Sequence, residues 1–273
     1  VAAIALSEIV SARLARIFRP VVELFAAIPS VAYGFFAMAV FAPLLQSRGG
    51  IMIAVLIALV GLPVALVGGI PVAEAVSSRL FSKASGGVNV AMRMAVSGIF
   101  CGAVLYAAYA VSGVEISSGT NAFNASVILA IMALPTIVSI SQDALSSVGR
   151  DMREGSLALG ATRFETVFKV ILPCAKSGIA VAVILGFMRV IGETMVVWMA
   201  SGNSLKIPDP FYNFFEPVRT LTATIAGEMG EADQTTGSAR YHVLFAMSLC
   251  LLLSGMGLNY LSQRIVSRGK SGK

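Results

Sequence analysis

Six long apolar runs alternate with polar segments along the chain, at about residues 21–45, 51–70, 94–112, 121–140, 177–200 and 241–261. At 1.5 Å per helical residue each is long enough to cross a hydrocarbon core of ~30 Å, so the pattern predicts a bundle of membrane-spanning helices. Pro29, Pro63 and Pro135 fall inside runs. Membrane helices tolerate proline where neighbours satisfy the freed carbonyls. The opening residues VAAIALSEIVS would reach only about 16 Å as a helix. They are too uncharged at the start for a signal peptide and read as the tail of a span that begins before this chain.

Composition strengthens the picture. The chain has 273 residues, 57% hydrophobic and 12% charged, with a mean hydropathy of +0.85. A soluble domain carries about 25% charged residues, so this reads as an integral membrane protein. The net charge of +6 is not a nucleic-acid stripe. Most cations fall in four clusters between or after apolar runs: Arg13, Arg16 and Arg19; Arg79, Lys83 and Arg93; Arg150, Arg153, Arg163, Lys169 and Lys176; and Arg264, Arg268, Lys270 and Lys273. That is positive-inside patterning, with the lipid bilayer as partner and no nucleic acid. Alternation sends run 21–45 outward and returns 51–70 to an inner loop at 71–93. Run 94–112 then leaves and 121–140 returns, after which 177–200 leaves and 241–261 comes back to the basic tail. The connection 201–239 lies outside, with Asp209, Glu216, Glu228, Glu231 and Asp233 against Lys206 and Arg219.

Candidate chemistry is sparse. Cys101, Cys174 and Cys250 lack ligand spacing, and His242 sits at the start of a span, so no metal or other cofactor is expected. No glycine-rich loop precedes Lys-Ser or Lys-Thr, so ATP must be bound by another subunit and the chain is not itself an enzyme. Arg189 and Glu193 are the charge pair inside a span. On an ideal helix Gly178, Ala182, Gly186, Arg189, Glu193, Val196 and Ala200 share an arc of about 80°, a face of small residues plus two charges. Such a pair is either a self-neutralising structural ion pair or an anion relay in which the Arg fork meets oxygens and Glu193 neutralises the empty site. Residues 218–232 read either as a surface loop or as a re-entrant or interfacial helix offering Thr220, Thr222 and Thr224. In the central stretch 142–169, charges of both signs interleave with Leu145, Leu157, Leu159, Phe164 and Phe168. Gly160 is expected to break that helix and Pro173 to stop it, leaving two short amphipathic helices on the membrane surface.

The segment EGSLALGATRFETVFKVILP, Glu154 to Pro173, resembles the EAA loop of ABC-importer permeases, with Gly155 and Ser156 where that pattern has two alanines. IPSVAYGFF (28–36), GFMRVIGETMVVWMASGN (186–203) and PVRTLTATIAGEMGEA (217–232) are similar to the phosphate-type permeases of that group. PVRTLTATIA favours the PstC-like subunit over its PstA-like partner. The resemblance covers roughly 1–46 and 121–268. It implies an all-α integral membrane protein of the bacterial inner membrane, with the type I ABC-importer permease bundle and its N-terminal span or spans missing. Residues 1–46 would hold a partial span and the first full span, 47–120 an inserted two-helix membrane segment, and 121–268 the permease core. Within that core, 145–173 would be the cytoplasmic ATPase-docking loop and 201–239 the external loop. The implied function is the permease subunit of an ATP-driven phosphate importer. Its implied partners are a PstA-like permease, a PstB-like ATP-binding dimer and an extracytoplasmic phosphate-binding protein. The substrate pathway is expected to take Arg189, Glu193, Thr194, Arg219 and Thr222. The resemblance implies docking through Glu154, Leu157, Ala158, Leu159, Gly160 and Pro173. The alternatives are a permease for sulfate or molybdate, an ATP-independent anion channel, or a membrane scaffold.

Overall fold

The computed structural model describes residues 2–10, 12–80, 86–210, 212–231 and 238–271. Lys83, Asp233 and Lys273 lie outside them, as do the side chains of Arg19, Arg79, Arg93, Arg268 and Lys270. The chain divides into two compact units, 1–39 with 120–273, and 40–119. Regular structure among the described residues is helical, apart from one isolated parallel bridge between Gly202 and Val218. The expected all-helical membrane architecture is what the structure has. Among the described residues, five helical stretches are long and apolar enough to cross a membrane: Ser30–Ala65, Ala95–Ser112, Ala122–Ser146, Arg163–Ile191 and Ala239–Ser267.

The pattern predicts six spans; the first two runs, 21–45 and 51–70, meet here at a kink at Arg48, and the stretch Ser30–Ala65 takes up parts of both. After α1 (Ala2–Ile4) and a π-helical turn, Ala5–Ile9, helix α2 runs over Ala12–Ala27 and takes up the start of run 21–45. It mixes Arg13 and Arg16 with Leu14, Ile17 and Phe18, and is amphipathic. Pro29 then stands extended (φ −59°, ψ 140°) before α3, Ser30–Phe36. With no N–H to give and a ring that crowds the preceding turn, it divides the two helices. The Tyr33 hydroxyl donates to the Phe25 carbonyl at 2.7 Å and closes the break.

No loop separates residues 45 and 51. A π-helical turn, Ala37–Phe41, leads into α4, Ala42–Leu80, where only Arg48 leaves helical geometry (φ −136°, ψ 19°). One kinked residue stands where the sequence pattern predicts a turn. Gly49 and Gly50 serve packing: a Cβ on Gly50 would come within 2.5 Å of the Ser112 carbonyl oxygen, and one on Gly49 would collide with Ile116. The expected inner loop 71–93 is largely helical too, since α4 reaches Leu80 and α5 (Gly86–Ser112) begins soon after. The second unit is this α4–α5 hairpin, in which a Cβ on Gly61 would meet Val104 Cγ1 at 2.7 Å. Two helices cannot cover their own apolar surface. Val55, Leu59, Val64, Ile99, Tyr106 and Tyr109 stay exposed, as lipid-facing residues do.

In the first unit α6, Ala122–Ser146, begins at Asn121, whose side chain accepts from the Asn124 N–H at 2.8 Å. It packs against α9, Leu172–Ile191. The face of small residues makes that contact: a Cβ on Gly178 would stand 2.5 Å from Ala144 Cβ, one on Gly186 would collide with Ile137, and Ala182 is fully buried. Helix α12, Ala239–Ser271, lies along α9. Ala3, Val138, Leu145, Val148, Val167, Ile171 and Ala175 form the core at the end of α6 where the central segment joins.

Candidate functional site

The central segment is a bend fixed on both sides. Helix α7, Arg150–Ala158, is anchored by Arg153, which donates to the carbonyls of Leu145 (2.9 Å), in the last turn of α6, and Val148 (2.7 Å), just beyond it. At its end the Ala161 N–H donates to Ser156 O (3.2 Å) and the Gly160 N–H to Leu157 O (3.0 Å). This nested pair needs a left-handed residue between the helices. Gly160 supplies it at φ +86°, where any side chain would be strained. Thr162 then caps α8, Arg163–Glu165. Its hydroxyl accepts from the Glu165 N–H (3.2 Å), and the Glu165 carboxylate accepts from the Thr162 N–H (3.1 Å). This reciprocal box satisfies two orphan donors at once. A 3.0 Å hydroxyl contact between Ser156 and Thr166 ties the arms together.

Pro173 does not stop the second arm. The chain passes from α8 through a π-helical stretch, Thr166–Ile171, directly into α9, and Pro173 falls in the first turn of α9. An early helical position is where proline's missing N–H costs little. Only α7 is therefore a free surface helix; the other arm is the foot of a span. That foot has two faces. Val167 and Ile171 are buried in the core, whereas Phe164 is 69% exposed and stacks on Phe168 with ring centroids 4.4 Å apart. Leu159, at the bend, is 91% exposed. Glu154 and Ala158 are exposed as well. Leu157 lines an open pocket of about 270 Å³ with Arg153, Arg163, Thr166, Val167 and Ile171.

Sequence reasoning on docking leaves out Phe164, Arg153 and Glu165. The Thr162–Glu165 spacing and the Phe164–Phe168 pair, four apart, are the signals that point to them.

At the other end of α9 the structure corrects the continuous helix expected over 177–200. Helix α9 ends at Ile191 with Gly192 as its cap, and α10 is a separate helix, Met195–Ala200. Glycine is a poor helix interior residue. Glu193 turns its carboxylate Oε1 toward the Val196 N–H at 3.5 Å, at the start of α10. Arg189 and Glu193 consequently form no ion pair, although both are half-buried. Arg189 Nη1 instead donates to the hydroxyl oxygen of Thr136 on α6, at 3.2 Å. Its position in the last turn of α9 favours a cation, because a helix C-terminus is negative.

The remaining residues predicted for the pathway divide into two groups. Glu193, Thr194 and Thr222 come together: the Thr222 hydroxyl donates to the Glu193 carbonyl (2.8 Å), and the Thr194 carbonyl accepts from the Trp198 N–H (2.9 Å). Residues 221–228 form helix α11, Leu221–Glu228, capped by the Thr220 side chain. Of the two readings of 218–232, the helical one holds for this segment. Thr224 donates to Thr220 O at 2.8 Å, so the donors of Thr222 and Thr224 are already engaged.

Arg219 belongs elsewhere. Its Nη1 meets Glu228 Oε1 at 2.8 Å, while Arg240 Nε meets Glu228 Oε2 at 2.9 Å and Arg240 Nη2 reaches Glu231 at 3.4 Å. Hydrogen bonds from Arg240 and then Arg219 hold the Glu228 carboxyl below the usual carboxylate range.

Helices of this length, one bent segment between two of them and a half-buried cation at a helix break define a multi-span helical membrane protein. The family of the binding-protein-dependent transport system inner membrane component matches residues 1–268, and the chain belongs to that family. The Bacillus subtilis protein named probable ABC transporter permease protein YqgH is 40% identical over 154 residues, 54% of this chain and 48% of its own. The phosphate transport system permease protein PstC of Pasteurella multocida is 28% identical over 269 residues, and that of Mesorhizobium japonicum 30% over 270. Each alignment covers 97% of this chain and 67% of the relative. The chain thus spans between about half and two thirds of the relatives' length. No solved structure matches it.

Proposed function

We propose that this chain is the membrane permease subunit of an ATP-driven importer of inorganic phosphate. It works with a second, PstA-like permease, a PstB-like ATP-binding dimer and an extracytoplasmic phosphate-binding protein. The observation that carries the reading is Arg189, half-buried beside Thr136 and, among the described residues, without a carboxylate in ion-pair range. A cation inside a span is costly and is retained where it meets water or an anion. Phosphate carries one to two negative charges at neutral pH, and a planar guanidinium can grip two of its oxygens. The names of the PstC relatives support phosphate over another oxyanion. Residues 145–173 dock the ATPase, with Leu159, Phe164 and Phe168 as apolar contacts on a bend stiffened at Gly160 and Thr162. ATP is hydrolysed in the partner, and 201–239 faces the binding protein.

Vesicles holding the assembled transporter, with ATP inside and labelled phosphate delivered by the binding protein, test this directly. Uptake should require ATP and resist competition by excess sulfate or molybdate. Uptake without ATP would make the chain a channel; sulfate- or molybdate-sensitive uptake would reassign its substrate.

A further inference from the structure

We propose that Thr136 is a second anion-contacting residue of the Arg189 site, a role that rests on the phosphate reading of that site. The Thr136 hydroxyl oxygen accepts from Arg189 Nη1 at 3.2 Å. A hydroxyl has two lone pairs and one proton. Accepting from the guanidinium uses a lone pair and turns the O–H away from the cation, which leaves that proton to donate. Arginine carries five N–H donors, and the Thr136 bond occupies one. The two side chains therefore present N–H and O–H groups side by side. Glu193, the nearest carboxylate in sequence, is directed to the Val196 N–H at 3.5 Å. Such donors suit the unprotonated oxygens of a tetrahedral oxyanion, which only accept.

The helices hold this geometry firmly. Gly186 and Gly178 of α9 lie against Ile137 and Ala144 of α6 so closely that neither position has room for a Cβ. Thr136 precedes Ile137, and Arg189 follows Gly186 by three residues. The relative placement of hydroxyl and guanidinium is thus set by backbone packing, which a surface arginine lacks. Both residues are half-buried, not sealed, so an anion has access.

Uptake of labelled inorganic phosphate by the assembled transporter, read with membrane abundance, tests the role. Thr136→Val keeps the shape and removes both the acceptor and the donor; it should raise KM about tenfold with membrane abundance unchanged. Thr136→Ser should recover most of that loss. In an Arg189→Lys background, Thr136→Val should add less than twofold, because the two groups bind one anion together. If Thr136→Val takes up phosphate with the normal KM while Arg189→Gln is inactive, Thr136 has no such role and the arginine site stands. Normal uptake by Arg189→Gln would remove the site itself. Should the valine variant fail to accumulate, Thr136→Ala is read against the same two outcomes.

Discussion

Arg189 and Arg219 look alike in the sequence, two arginines assigned to one pathway, yet the structure treats them oppositely. Arg219 is 11% exposed, lies 2.8 Å from Glu228, and shares that carboxylate with Arg240. Its charge is cancelled before any ligand arrives. Among the described residues Arg189 meets one threonine hydroxyl and no carboxylate. A cation neutralised in place does structural work: Arg219 closes onto Glu228 at the end of α11, and that carboxylate also holds Arg240 of α12. One left with spare donors can receive an anion. Proximity of charge in sequence does not separate these roles; the partner each side chain finds does.

The largest effect should come from Arg189→Gln, which should abolish phosphate uptake while the complex still assembles. Arg189→Lys should lose about tenfold despite keeping the charge, since the fork is gone. Arg219→Gln should cost no more than about threefold in uptake, the scale of a partly exposed ion pair. Equal losses from both neutral variants would dissolve the contrast.

Gly160→Trp sharpens it from the other end of α9. A side chain at φ +86° strains the bend, so ATP-dependent turnover should fall severalfold with the KM for phosphate unmoved. A raised KM would mean that the bend and the anion site cannot be separated.

Glu193→Gln should be milder, less than about threefold, because no ion pair joins it to Arg189. The double variant Arg189→Gln with Glu193→Gln should be as inactive as Arg189→Gln alone. Recovery of abundance and uptake in the double variant would restore the structural ion pair that the helix break argues against.

The smallest effect concerns Glu228, whose carboxyl is held below the usual range by Arg240 and Arg219. A depressed folded-state pKa stabilises above the unfolded value and is lost as pH falls through the folded one. At neutral pH the wild type should therefore melt slightly higher than Glu228→Gln. The gap should close as pH drops below the ordinary carboxylate range, and a gap that widened in acid would contradict the network.

Much of the bend was legible in the chain. A glycine followed by Thr162 and, three residues on, Glu165 specifies a stop and a restart, and local hydrogen bonds execute both. The face of Gly178, Ala182 and Gly186 was legible for a similar reason, since helical period alone groups those residues and their small size invites a neighbour. Thr136 was not, because nothing within α9 states which residue of α6 will stand opposite an arginine. The break at Gly192 was hidden by the apolar residues on either side, which extend one hydropathic run across two helices. At Gly49 and Gly50 two glycines invited a turn, and the close approach of Ser112 and Ile116 uses the same missing Cβ differently.

The π-helical stretch at Thr166–Ile171 changes the phase of everything after it. One such turn accommodates a surplus residue without opening a loop, so the helix downstream is rotated by about 100° and displaced by about 1.5 Å relative to an unbroken α-helix. Phe164 lies before that slip, and Gly178, Gly186 and Arg189 lie after it. The angular offset between the outward aromatic face and the face turned to α6 is therefore set by a single extra residue. An ideal helical wheel drawn through 163–191 would misalign the two ends by more than a quarter turn.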